Sequence, residues 1–259
     1  LGQCGSDIRD LSLAPDATTL AVATENGRLE IWSTRTGSLM ETPLEAGTSL
    51  RGVCHSANGD LLAVSGADRL VRVWDRRAKV WLTQIDTAPE TPREFNRFGE
   101  DILLNAAGDR LFAEYQEGKL GIWNPRTGEL LQVLDPGITG EFRALSLSPD
   151  QTLVAAACNQ LSVWDIRTGK LVTQVPGLKH AIFALAFFPD NRRLASGDEN
   201  NAIHLWDSQG GKQLAILPGH TDSVQDLAFS PDGKVLASTG DDYTVRLWDP
   251  DSGKPLRVL

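Results

Sequence analysis

Apolar and polar residues alternate with a period of two ahead of six tryptophans. Val245 and Leu247 alternate with Thr244 and Arg246 before Trp248, and the same places hold Leu29/Ile31, Val71/Val73, Leu120/Ile122, Leu161/Val163 and Ile203/Leu205. An apolar residue at every second position packs one side of an extended chain, so each run predicts a strand. Behind the tryptophan stand the dipeptides Thr36-Gly37, Thr127-Gly128, Thr168-Gly169, Gly210-Gly211 and Ser252-Gly253. Glycine there supplies the positive φ of a short hairpin. A second apolar run follows each, as in LVTQV at 171–175. One unit therefore reads as four strands: a (SVQDLAFS), b (KVLAST), c (TVRLWD) and d (PLRVL).

The unit recurs along the whole chain. Trp32, Trp74, Trp123, Trp164, Trp206 and Trp248 are separated by 42, 49, 41, 42 and 42 residues. A turn element lies 17 residues before the tryptophan at Pro15, Ala57, Ala106, Pro189 and Pro231, and the fourth copy is two residues shorter. Repeats of this length mean stacked units, because a lone four-stranded sheet leaves its faces uncovered. The seven-residue excess between Trp74 and Trp123 falls in IDTAPETPREFNRFGED, between strands d and a. A long loop there is either a binding element or a neutral insertion. Apolar residues of strand a, such as Val224, Leu227 and Phe229, are spaced three and then two, which predicts a bulge.

With Gly219-His220 at one end of a unit and Trp248-Asp249 at the other, the chain resembles WD40-repeat proteins over essentially its whole length. The resemblance implies an all-β, WD40-type β-propeller with six repeats' worth of four-stranded antiparallel blades, alone or within a larger propeller or array. The expected organisation is a single domain or fragment of one, 1–259, with units 1–43, 44–85, 86–134, 135–175, 176–217 and 218–259. Leu1, Leu217 and Leu259 share one repeat position, and the only methionine is Met40, so the chain reads as an excised run of repeats from a longer protein.

In this family a polar tetrad staples each blade, and here it falls on His220, Ser238, Asp242 and Trp248. The other units have Cys4, Ala46, Ile138 and Leu178 in the His place, and Asn26, Asp68, Glu117 and Asn200 in the Asp place. Strand a lines the central channel in the family. In peptide-binding members, the residue six before the turn helps form the pocket at its mouth. That position holds Arg9, Arg51, Glu100, Arg143, Phe183 and Gln225. Three arginines there would favour anions unless they pair with neighbours such as Asp10 and Glu100. The b–c turns on the same face carry Glu25, Asp68, Glu117, Asp198, Glu199, Asp241 and Asp242, so a face of mixed charge is expected. The implied function is a non-enzymatic scaffold binding a peptide or protein partner on the d–a/b–c face and channel mouth. The alternative is a sensor or autoinhibitory domain of a larger bacterial-type signalling protein, a kinase or NTPase, contacting its own chain.

Composition removes other classes. A net charge of −9 argues against a broad nucleic-acid face. The odd, dispersed Cys4, Cys54 and Cys158 suit reduced thiols and a cytoplasmic setting, and membrane-length apolar runs and an opening signal sequence are lacking. No cofactor, metal or membrane partner is expected. The Ser/His/Asp set invites a catalytic reading, but it sits at the family's own staple spacing. GTSLRG at 47–52 misses the nucleophile-elbow spacing, QGGKQL at 209–214 lacks phosphate-loop spacing, and the four histidines lack metal-ligand spacing. Trp81, outside the register, is expected to pack on an outer strand or to anchor a contact.

Overall fold

The computed structural model describes residues 4–88, 101–116, 118–137, 142–157 and 159–259. Glu100, Glu117, Ile138, Cys158, Leu1 and most of the 85–101 segment lie outside them. The described residues form six four-stranded antiparallel sheets and no helix, each sheet an uninterrupted meander in chain order. The period-two runs became strands because each has one packed side, and the glycine dipeptides close the hairpins: Gly37, Gly128, Gly169, Gly211 and Gly253 all have φ between 65° and 74°. We call each sheet a blade. The chain clusters into two compact units, Leu1–Glu141 and Phe142–Leu259, and each is described by itself.

In the first unit, blade 1 contains β1 (Ile8–Leu13), β2 (Thr19–Thr24), β3 (Arg28–Ser33) and β4 (Leu39–Glu45). Blade 2 contains β5 (Leu50–His55), β6 (Leu61–Gly66), β7 (Leu70–Asp75) and β8 (Val80–Asp86). Blade 3 contains β9 (Ile102–Leu104), β10 (Leu111–Tyr115), β11 (Lys119–Trp123) and β12 (Leu130–Leu134). Ala21, Ala23, Leu29 and Ile31 of blade 1 pack against Leu50, Val53, Leu62 and Val64 of blade 2. The other side of blade 2, with Leu61, Ala63, Val71 and Val73, packs against Ile102, Leu104, Leu111 and Trp123 of blade 3. Blades 1 and 2 thus each bury one side under the residues of the following blade. Every fully buried Leu or Val contributes about 1.5–3 kcal/mol. Trp81 leans on Trp74 with ring centroids 4.9 Å apart, and its indole N–H donates to the Pro43 carbonyl at 3.3 Å. It packs, half-buried, against the blade 1–2 cluster.

In the second unit, blade 4 contains β13 (Ala144–Leu147), β14 (Leu153–Ala157), β15 (Leu161–Asp165) and β16 (Leu171–Val175). Blade 5 contains β17 (Ile182–Phe187), β18 (Arg193–Asp198), β19 (Ala202–Asp207) and β20 (Gln213–Pro218). Blade 6 contains β21 (Val224–Phe229), β22 (Leu236–Gly240), β23 (Val245–Asp249) and β24 (Lys254–Val258). The packing rule of the first unit holds: blade 4 lies under Ile182, Leu185 and Phe187, and blade 5 under Val224, Leu227 and Trp248.

Neighbouring first strands are also joined through side chains. Asp10 Oδ2 accepts the Val53 N–H at 2.7 Å, and Ser12 Oγ accepts the His55 N–H at 3.1 Å. Ser146 Oγ does the same for the Phe187 N–H at 3.2 Å in the second unit. Strand-to-strand pairing inside a blade slips at one place in strand a, at Arg9, Arg51, Phe183 and Gln225. That is the bulge which the three-then-two spacing predicts.

His55 sits in the blade 1–2 contact. Its Nδ1 is 2.9 Å from Ser12 Oγ, and its buried Nε2 has no partner among the described residues. Burial, with the positive charge of Arg76 adding, pushes its pKa from the ordinary 6.5 down to about 4. Between those values the unfolded chain binds a proton that the folded chain excludes, so stability falls as pH is lowered through this window. Allowing for solvent screening of a half-buried ring, the expected loss is about 1–2 kcal/mol. His55→Gln, which keeps a hydrogen-bonding group without the titration, should flatten the urea-unfolding profile between pH 6.5 and 4. An unchanged slope in that variant would remove His55 as the cause.

Candidate interaction surface

In blade 6 four side chains form one hydrogen-bonded line. With the imidazole in its Nδ1–H tautomer, the Trp248 indole N–H donates to Ser238 Oγ at 2.9 Å, and the serine hydroxyl donates to His220 Nε2 at 2.7 Å. The Nδ1–H in turn donates to Asp242 Oδ2 at 2.9 Å. Strand alternation brings Ser238 and Trp248 to the same side of adjacent strands, while the d–a and b–c loops deliver His220 and Asp242. Asp242 also accepts the Thr221 N–H at 3.0 Å and the Thr244 hydroxyl at 2.7 Å. Burial pushes its pKa up, but the Thr244, Thr221 and His220 hydrogen bonds outweigh this and hold the carboxyl well below its ordinary range. Trp248, Ser238 and His220 are buried. The serine thus already accepts one bond and donates another, and its oxygen lies out of solvent.

Blade 1 satisfies its tryptophan through a residue that sequence reading passed over, while blade 5 keeps the bond to serine. In blade 1 the Trp32 N–H donates to Glu30 Oε2 at 2.9 Å, and the Cys4 thiol lies 3.5 Å from the same oxygen. In blade 5 the Trp206 N–H donates to Ser196 Oγ at 2.8 Å, while Leu178 leaves the histidine place apolar. His204 stacks on Trp206, with centroids 5.6 Å apart, and reaches Asp198 Oδ2 at 3.1 Å. In blade 2 Arg72 clasps Asp68 at 2.5 and 3.3 Å. Glu30, Arg72 and His204 all stand two residues before the tryptophan, beside it on the same side of strand c. The alternation had marked these as polar places; the reach of Glu30 and His204 to the indole follows from period two.

Of the strand-a positions, Arg9, Arg51, Phe183 and Gln225 lie at the bulge and Arg143 one residue before β13. In the first unit Arg9 Nε bonds Glu25 Oε2 of the b–c turn in its own blade. The Ser49 hydroxyl donates to the same oxygen at 3.0 Å. The Arg9 and Ser49 bonds hold the Glu25 pKa below its ordinary value. Arg51 lines a cavity of about 20 Å³ with Arg69, Thr87 and Glu114. In the second unit Gln225 Nε2 donates to Asp241 Oδ2 at 2.7 Å, the same geometry as Arg9 with Glu25. His180 Nδ1 lies 3.6 Å from Glu199. Arg143 is different: its guanidinium stands over the Phe183 ring, 5.2 Å from the centroid, and it has no carboxylate partner among the described residues.

Six four-stranded antiparallel meanders, each with a tryptophan on its third strand, define the blade architecture of the β-propeller class. Residues 41–75, 169–207 and 211–249 match the family model for the WD domain, G-beta repeat. Those three stretches are WD40 repeats. No curated protein matches the chain. WD40 repeats in general are non-enzymatic scaffolds for protein–protein contacts. No helix among the described residues is long and apolar enough to cross a membrane.

Proposed function

We propose that the chain is an interaction platform that binds an acidic peptide or protein segment on its d–a/b–c face, with Arg143 and Phe183 of the second unit as the primary contact. The observation that supports this is the guanidinium held over an aromatic ring with its hydrogen-bonding edge uncommitted to any described carboxylate. A planar fork in that position takes a carboxylate bidentately, and the ring fixes it at low entropic cost. Glu199 and Asp241 of the b–c turns border the same face, so basic residues flanking the acidic tip would be favoured and the approach steered.

Binding of labelled acidic and basic peptides to the whole chain, followed by fluorescence polarisation, tests this. Arg143→Glu should weaken the acidic peptide at least roughly tenfold at unchanged melting temperature. Arg9→Glu should do much less, because Glu25 already engages that guanidinium. Equal binding by the Arg143→Glu variant would move the site to the opposite face or to the 86–98 segment.

A further inference from the structure

Blades 5 and 6 treat one buried serine differently. In blade 6 the Ser238 hydroxyl accepts from the Trp248 indole and donates to His220 Nε2. Ser196 holds the same place in blade 5, fully buried, and accepts the Trp206 N–H at 2.8 Å. Its own O–H has no acceptor among the described residues, because Leu178 in the histidine place packs against the blade 4–5 core and offers none. A buried donor left without an acceptor is costly.

A second unmatched group borders the same space. With its ring in the Nε2–H tautomer, His204 donates to Asp198 Oδ2 at 3.1 Å. Its buried Nδ1 is then an acceptor with no donor among the described residues. Ser196, His204, Trp206, Asp198, Leu178 and Gln213 line one cavity of about 260 Å³. That is many times the space a single water needs.

Blades 2 and 6 show what fills such a gap. Blade 6 has the His220 imidazole beside Trp248. Blade 2 has Ala46 in the histidine place, and Trp81, the cross-strand partner of Trp74, packs in the same cluster as Ala46. The cross-strand partner of Trp206 is Gln213, which is exposed and leaves the space open. Two blades thus set a nitrogen heterocycle beside the strand-c tryptophan where blade 5 has a cavity.

The walls select among rings. Ser196 needs an acceptor and His204 Nδ1 needs a donor, and a neutral imidazole carries one of each. A phenyl ring carries neither, and an indole lacks the acceptor. Burial pushes the Asp198 pKa up, but hydrogen bonds from His204, Ala202 and Asn200 outweigh this and hold it below its ordinary value. The resulting carboxylate disfavours an anion, and Lys179, which also borders the cavity, is exposed to solvent. We propose that the blade 4–5 cavity binds a neutral imidazole-type ring beside Trp206, which accepts a hydrogen bond from the Ser196 hydroxyl and donates one to His204 Nδ1. The ring comes from a free heterocycle or from the histidine side chain of a peptide.

The probe is imidazole, titrated into the whole chain and followed through the indole N–H resonances. The Trp206 signal, assigned by its loss in Trp206→Phe, should move saturably at millimolar imidazole, because its acceptor Ser196 gains a partner. The Trp248 signal should stay, since Ser238 already has His220. 1-Methylimidazole, which keeps the acceptor and lacks the N–H, should bind at least about threefold more weakly. Leu178→His, which supplies the acceptor from within, and Gln213→Trp, which copies Trp81, should each weaken imidazole at least roughly tenfold at an equal or higher melting temperature. A Trp206 resonance unmoved at about 0.1 M imidazole overturns the proposal. So do equal shifts at Trp206 and Trp248, or binding retained in both variants. A capped alanine–histidine–alanine tripeptide separates the sources: tighter binding than imidazole assigns the ring to a peptide, and exclusion of the peptide with imidazole still bound assigns it to a free heterocycle. Both results support the ring site.

Discussion

Replacing Trp248 with alanine should destabilise the second unit by about 3–5 kcal/mol. The side chain is fully buried and packs in the cluster that joins blade 5 to blade 6, with Leu205 and Leu217 on one side and Leu236 on the other. Truncation leaves a cavity that two sheets held by backbone ladders cannot collapse into, so the cavity cost adds to the lost transfer energy. It also strips Ser238 of the donor that fixes its hydroxyl toward His220. Trp248→Phe should cost less than Trp248→Ala, since it keeps a six-membered ring in the contact and loses the pyrrole part with its N–H. Trp74, half-buried and leaning on Trp81, should cost less when truncated. Urea unfolding followed by circular dichroism measures all three. A Trp248→Ala chain within 1 kcal/mol of the parent would mean that the blade 5–6 contact does not rest on this ring.

Asp242→Ala should cost roughly 3 kcal/mol at neutral pH. The substitution abandons the His220 Nδ1–H, the Thr221 N–H and the Thr244 hydroxyl at once, in a place where water cannot easily replace the carboxylate. Arg246, 3.6 Å away, loses its counter-charge too. The folded carboxyl is held well below its ordinary value of 3.8, so its contribution is complete above that value and is lost as pH falls through and below it. The penalty of the substitution should therefore be largest near neutrality and shrink in acid, where the parent loses the same interaction. Asp242→Asn, which retains an acceptor, should recover part of the loss. Peptide binding at low temperature should survive in both variants, because the carboxylate is spent inside the blade. Lost binding at unchanged stability would instead place Asp242 on the interaction surface.

The repeat, the four strands of each unit and the side of each strand that packs are all readable from residue order. Period two and the tryptophan spacing depend only on local geometry: alternate side chains must face opposite ways whatever lies beyond them. The bulge at Arg9, Arg51, Phe183 and Gln225 was legible for the same reason, because one surplus residue between apolar places has to leave the ladder. Partner choice was not. Asp10 and Glu25 are both carboxylates near Arg9 in the chain, and only the folding of the b–c turn over strand a brings Glu25 to the guanidinium. Leu178 in the histidine place says that blade 5 lacks one staple, yet nothing in the residue order says that His204 crosses to Asp198. Trp74 and Trp206 are alike to any reading of pattern, both at the end of strand c. Trp206 is buried and Trp74 half-buried, because burial is decided by which side chains are there to exclude water, and that belongs to the tertiary structure alone.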